Sequence, residues 1–247
     1  MAVVASDGVR LYAEAHGEGL PLLLSCAYCT THENFRPQVE PLVQAGARVV
    51  LWDYRGHGRS QSPSDPAAYS IDQVVDDLGR VLDATAPGKP AVVGGLSFGG
   101  LASLHFALRQ PARVRGLLLV DSGPGFKKPE AQARWEAMVE RTASFLEKRG
   151  LEAFVASRAS ATLVGRRAEL PAARAAARAI AEQDPAGLAW FGRRVSGLAP
   201  AVIDELTGID VPALVVVGED DEPYLRAAKM MASRLPGARH VVIPGAG

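Results

Sequence analysis

Apolar and polar positions follow two textures along the chain. Short runs that are apolar at consecutive positions recur at Pro21-Leu22-Leu23-Leu24, Ala47 to Trp52, Ala91-Val92-Val93, Gly116 to Val120, Ala213 to Val217 and His240 to Ile243. Runs of that length without a polar alternate predict strands covered on both faces, as in a parallel sheet. Helical spacing fills the gaps. One stretch runs near Phe35 to Ala45 and stops at Gly46. Another opens behind Ser70, with Gln73 three residues on as in a capping box, and gathers Val74, Val75, Leu78, Val81 and Leu82 on one face. Further helices are expected from about Phe98 to Arg109 and Pro223 to Leu235. Strands alternating with helices predict an α/β fold: a mostly parallel central sheet with helices on both faces.

From about 123 to 205 no strand-like run occurs. The stretch is rich in Ala and Arg, with helical candidates at Pro129 to Arg149, Leu151 to Leu163, Pro171 to Gln183 and Pro185 to Leu198. The strand, helix and strand that follow are too few to fold alone. Residues 1–122 and 206–247 are therefore expected to build one core, with 123–205 inserted as a helical lid; a separate small helical domain is the other reading. Trp135 and Trp190 from the lid, with Tyr28 from the core, are candidates for a substrate pocket, although aromatics at helical spacing also serve as core. The lid's arginines, Arg166 and Arg193 among them, interleave with Glu136, Glu140, Glu147 and Glu182 and are expected on a solvated face.

Composition narrows the function classes. The 247 residues are 48% hydrophobic and 22% charged, enough for one sizeable core. With 27 basic against 27 acidic side chains, the surplus of cations that nucleic acid or an acidic membrane surface would need is missing. No run approaches the roughly 18 apolar residues of a membrane span, and the start, MAVVASDGVRLYAEA, lacks a basic leader. Two cysteines make no disulfide framework. A cytoplasmic protein with a small-molecule partner is the expectation, and oligomeric state is not legible.

Candidate chemistry concentrates at Gly95-Leu96-Ser97-Phe98-Gly99, directly after an expected strand and directly before an expected helix. A strand turning that sharply into a helix strains its central residue and crowds the positions two on either side, which explains Gly95 and Gly99. Ser97 is thereby raised at a helix N-terminus, where amides and the helix dipole favour developing negative charge. A second segment, Asp53-Tyr54-Arg55-Gly56-His57-Gly58-Arg59-Ser60, follows the strand ending at Trp52.

Together these segments resemble the α/β-hydrolase superfamily, specifically its lid-bearing small-molecule serine hydrolases. The resemblance implies that Asp53 to Ser60 is a structural turn, with His57 a loop histidine rather than a base. It implies an acid in the Gly218-Glu219-Asp220-Asp221 turn, at Asp221, with Asp220 and Glu219 as competitors and Asp121 at a position some relatives use. It implies an oxyanion hole from the N–H groups of Phe98 and Ala27, although Ser25-Cys26 stands where relatives usually carry His-Gly; some enol-lactone hydrolases also have serine there. The base is expected directly after Ile243-Pro244-Gly245-Ala246-Gly247, so residues are expected to continue past Gly247, starting with histidine and followed by a last helix. His16, His32, His57, His105 and His240 offer no convincing substitute.

The function expected is hydrolysis of a small carboxylic ester or lactone through an acyl-enzyme, without cofactor or metal. Thioester or carbon–carbon hydrolysis, acyl transfer, and an inactive binding protein on the same fold are the alternatives. Cys26 and Cys29 form a C-x-x-C that would suit thiol–disulfide exchange, or are two apolar fillers.

Overall fold

The structure, a computed structural model, describes residues 1–164 and 167–247; Arg166 lies outside the described residues. Eight strands form one sheet: β1 (Ala2–Val4), β2 (Arg10–His16), β3 (Leu20–Ser25), β4 (Ala47–Trp52), β5 (Ala91–Leu96), β6 (Val114–Val120), β7 (Ala213–Gly218) and β8 (Arg239–Ile243). Their spatial order is β1-β2-β4-β3-β5-β6-β7-β8. Only the β1–β2 and β2–β4 pairs are antiparallel, so β3 to β8 all point one way and their carboxyl ends share one edge.

The parallel strands bury both faces, as their unbroken apolar runs require. Leu22, Leu24, Val49 and Leu51 pack in one cluster with Phe35, against Val39, Leu42 and Val43 of the helix α1 (Arg36–Gln44). The intervening Leu23, Val50 and Trp52 join the larger cluster with Val74, Leu78 and Val81 of α2 (Ile71–Thr85). Ser70 caps α2 by accepting the Gln73 amide. The helix α3 (Phe98–Arg109) follows β5 without a linker beyond Ser97.

Between β6 and β7 lies a helical block: α4 (Pro129–Val155), α5 (Ala161–Val164), α6 (Pro171–Ala181), α7 (Pro185–Phe191) and a wide turn over Gly192–Ser196. The helix α8 (Glu222–Arg234) then precedes β8. Among the described residues no helix is long and apolar enough to cross a membrane.

Differences from the sequence expectation have local causes. The antiparallel β1 and β2 were not predicted, because β2 alternates Leu11, Ala13 and Ala15 with polar residues and two of the three are small. The break expected at Gly150 is there, at φ 76° and ψ 176°, and helix resumes at Leu151 as expected, but it ends at Val155 rather than at Leu163. The strand expected over Ala91–Val93 continues through two glycines to Leu96, right up to Ser97. Helix expected through Leu198 gives way after Phe191 to a wider turn with five-residue spacing, a form enriched at functional sites.

Candidate active site

Ser97 occupies the corner between β5 and α3 with φ 53° and ψ −113°, a left-handed conformation that a non-glycine residue adopts only when its surroundings hold it there. The holding contacts are specific. Its N–H donates to the Val120 carbonyl (2.9 Å), and its own carbonyl accepts from the Ser122 hydroxyl (2.7 Å). The side chain is half-buried, and Oγ lies 3.0 Å from the Tyr224 hydroxyl in the first turn of α8.

The flanking glycines face more than each other. A Cβ on Gly95 would sit 2.9 Å from Gly99 Cα and would strike the Ser25 carbonyl oxygen. One on Gly99 would strike the same oxygen, with Ser25 C at 2.8 Å and Cys26 O at 2.9 Å. The backbone leaving β3 therefore rests directly on the elbow, and this approach brings the loop carrying Ala27 beside Ser97.

That loop is built tightly. Ser25 Oγ accepts from the Trp52 indole (2.9 Å), so the serine standing in the usual histidine position braces the sheet. The Tyr54 hydroxyl donates to the Cys26 carbonyl (2.9 Å). Ala27 opens a turn closed by Thr30, whose N–H (3.1 Å) and hydroxyl (2.9 Å) both donate to the Ala27 carbonyl. Among the described residues, neither the Ala27 nor the Phe98 amide donates to an acceptor of the chain, so both remain available to an incoming oxygen. Phe98 is buried against Tyr54 and against Phe191 of α7.

The two acid candidates meet. Asp221 is the N-cap residue of α8. Asp121, left-handed at φ 40°, follows β6, accepts the Gly218 N–H (2.8 Å) and is hydrogen-bonded to the Asp221 side chain. Burial pushes the Asp121 carboxyl above its ordinary value. Glu219 instead turns outward and accepts from Gly245 N (2.9 Å). The turn after β8 docks here too: Asp220 N donates to the Ala246 carbonyl (2.7 Å), and a Cβ on Gly247 would lie 2.8 Å from Asp221 N.

The histidines are placed elsewhere. His32 pairs through Nδ1 with buried Asp53 (2.8 Å), and His16 with Glu14 (3.2 Å). His105 lies within 3.1 Å of the Pro200 carbonyl, and His240 is the second residue of the edge strand β8. His57 is packed among Tyr28, Tyr54 and Phe191, and burial lowers it to about 4. Its segment is structural: Arg55 is buried in a two-pronged ion pair with Asp77, at 2.7 Å for both bonds.

Both cysteines are free and buried, and burial raises Cys29 to about 12 and also pushes Cys26 up. Thiols held protonated do not suit exchange chemistry, so the structure favours the filler reading. Among the described residues no group of His, Cys, Asp and Glu is placed to hold a metal. Of the pocket candidates, Tyr28 is only 9% exposed and donates to the Leu188 carbonyl (3.1 Å), which makes it a strut between core and helical block. The contacts of Trp135, with Ser196 and Phe126, and of Trp190, with Arg193, stay within that block. Two residues the sequence reading does not single out, Tyr224 and Gln183, touch the site. Tyr224 was legible in principle, three positions after Asp221 and so on the same helix face.

The profile of the family described as alpha/beta hydrolase fold matches residues 21–247. The chain belongs to that family. Among its relatives, "Putative carbamate hydrolase RutD" of Variovorax paradoxus (strain S110) is 39% identical over 125 residues, half of this chain and 45% of that protein. "Putative 2-succinyl-6-hydroxy-2,4-cyclohexadiene-1-carboxylate synthase" of Bacillus subtilis (strain 168) is 28% identical over 99% of this chain and 90% of its own. The solved enol-lactonase from Burkholderia xenovorans LB400 superposes with a TM-score of 0.80 at 26% identity, covering 98% of this chain and 91% of that one. In this family member, then, the elbow at Ser97 sits on a fold shared across nearly the whole chain.

Proposed function

We propose that the protein is a serine hydrolase cleaving a small carboxylic ester or lactone through an acyl-enzyme intermediate. The observation that carries the reading is the left-handed Ser97 on its glycine-flanked elbow, with the backbone leaving β3 pressed against those glycines; in this reading the amides of Ala27 and Phe98 form the oxyanion hole. Ser97 Oγ attacks the carbonyl carbon and its proton passes to a base. Charge collects on the carbonyl oxygen and is received by the two N–H groups, each worth on the order of 10²–10³ in rate. The carbon–oxygen bond to the leaving group then breaks, and the alcohol departs with the proton. Water repeats the sequence and releases the acid.

The base in this reading is the histidine that the family resemblance expects in the turn after β8. Such a residue would start beside the Asp221 amide, and the Asp221 carboxylate would orient its ring. The helical block serves as a lid over the acyl group. The solved enol-lactonase supports the lactone limb of the reading, and the equal balance of charge together with two buried free cysteines supports a cytoplasmic enzyme.

A fluorophosphonate probe and a panel of p-nitrophenyl esters and lactones test this with the full-length gene product. Stoichiometric labelling at Ser97, with turnover lost in Ser97→Ala, is expected. A folded full-length protein that neither labels nor turns over any acyl substrate refutes the proposal and leaves a binding protein on a hydrolase fold.

A further inference from the structure

The turn that presents Ala27 contains a strained residue. Ala27 to Thr30 closes through the Thr30 N–H, and Cys29, third in the turn, has φ 66°. A type II turn needs that sign at its third position and prefers glycine there. A cysteine in its place costs on the order of 1–2 kcal/mol and persists only where neighbours fix it. Two neighbours do. The Cys29 N–H donates to Nε2 of buried His57 (3.2 Å), which sets the direction of the central peptide, the one whose flip separates type I from type II turns. The Cys29 carbonyl accepts from Nε2 of Gln183 (2.9 Å), and Oε1 of the same amide accepts the Gly58 N–H (3.0 Å). A carbonyl can only accept and an N–H only donate, so these partners fix the orientation of the Gln183 amide.

Gln183 stands between α6 and α7, is 8% exposed, and is contributed by the helical block rather than the sheet. Through one side chain the block grips both the loop after β3 and the turn after β4. We infer that Gln183 is a positioning residue of the oxyanion hole: it locks the Cys29 turn so that the Ala27 amide faces the oxygen above Ser97. This rests on the serine-hydrolase reading and adds a part to it. Without the lock the turn can relax toward the ordinary right-handed form, and Ala27 loses its fixed direction.

The test uses Gln183→Glu and Gln183→Met in the full-length protein. Glu keeps the shape and can still accept from Gly58, but sets a carboxylate oxygen against the Cys29 carbonyl; Met keeps the volume and loses both bonds. A drop in kcat of about 10–100-fold is expected for both, larger for Glu, with KM changed by less than about threefold. Affinity for a boronic acid that mimics the tetrahedral intermediate should fall in parallel, while affinity for the product acid stays unchanged. Rates are taken per Ser97 site labelled by fluorophosphonate, so loss of folded protein is divided out. Wild-type kcat per labelled site in both variants overturns the inference while Ser97 chemistry stands, as does an equal loss of product-acid affinity. If wild-type Ser97 does not label and Ser97→Ala retains turnover, the underlying hydrolase reading fails, and the role of Gln183 with it.

Discussion

Gly99→Ala is the sharpest single probe of the elbow. Its added methyl carbon would lie 2.8 Å from the Ser25 carbonyl carbon and 2.9 Å from the Cys26 oxygen, and would overlap the Ser25 oxygen itself. Carbon atoms pack comfortably at about 3.5–4.0 Å, so the two chains must part by roughly 1 Å. Every atom met is backbone, and no side chain can swing away. Overpacking of this kind costs about 1–3 kcal/mol in stability. A misplacement of about 1 Å between nucleophile and oxyanion donors costs on the order of 10²-fold in rate. Gly100→Ala, one residue on, is the control. Its methyl would strike the Ser122 side chain, with Cβ at 2.6 Å, and meets backbone only at an ordinary 3.5 Å from the Gly95 oxygen, so the obstacle can shift and a smaller loss than for Gly99→Ala is expected. The assay is kcat on a p-nitrophenyl ester per fluorophosphonate-labelled site, alongside urea denaturation. A Gly99→Ala enzyme within about threefold of wild-type kcat would refute the claim that the Ser25–Cys26 backbone and the elbow are held in contact. So would a Gly100→Ala defect of equal size.

The buried His57 predicts an acid slope in stability. Its value falls from 6.5 to about 4 on folding because burial penalises the cation. Between those values the unfolded chain binds a proton that the folded chain refuses, so stability drops as pH falls from 6.5 and levels below about 4. At about 1.4 kcal/mol per pH unit the window is worth about 3 kcal/mol. His57→Gln should remove that part of the slope in urea titrations, and a pH-independent difference between wild type and variant would contradict it. The two cysteines make a simpler case: with Cys26 and Cys29 buried and Cys29 raised to about 12, neither should react with a thiol reagent at pH 8 until urea is added. Rapid titration of either in the folded protein would revive the exchange chemistry.

The parallel half of the fold was legible because its strands are buried on both faces and so cannot hide among polar residues. Leu22 to Leu24 and Val49 to Leu51 send alternate side chains to opposite helical layers, and both layers demand apolar groups. The antiparallel edge has no such demand: β1 leaves Val4 61% exposed, and β2 alternates. Its pattern is therefore weak on the page even where its pairing is regular. In the helical block, helix existence followed from Ala-rich spacing and from prolines at the first turns of α4, α6 and α7. The resumption of helix at Leu151 was legible too, and Leu151 and Phe154 are buried there; its end at Val155, short of Leu163, left no mark in the spacing.

The site divides along the same line. Ser97 and its glycines were readable because they answer a local backbone problem, a sharp strand-to-helix corner, and such problems leave short motifs; Asp221 was reached only through the family resemblance. Gln183 answers a long-range problem. Its two partners, Cys29 and Gly58, lie far away in sequence and contribute only main-chain groups, which carry no residue-specific mark. Phe191 has the same character, closing on Phe98, Tyr54 and His57 from a helix whose own sequence reads as ordinary packing. The sheet supplies the parts of the site that a motif can name. The helical block supplies the restraint on where those parts point, and that restraint exists only once the chain has folded.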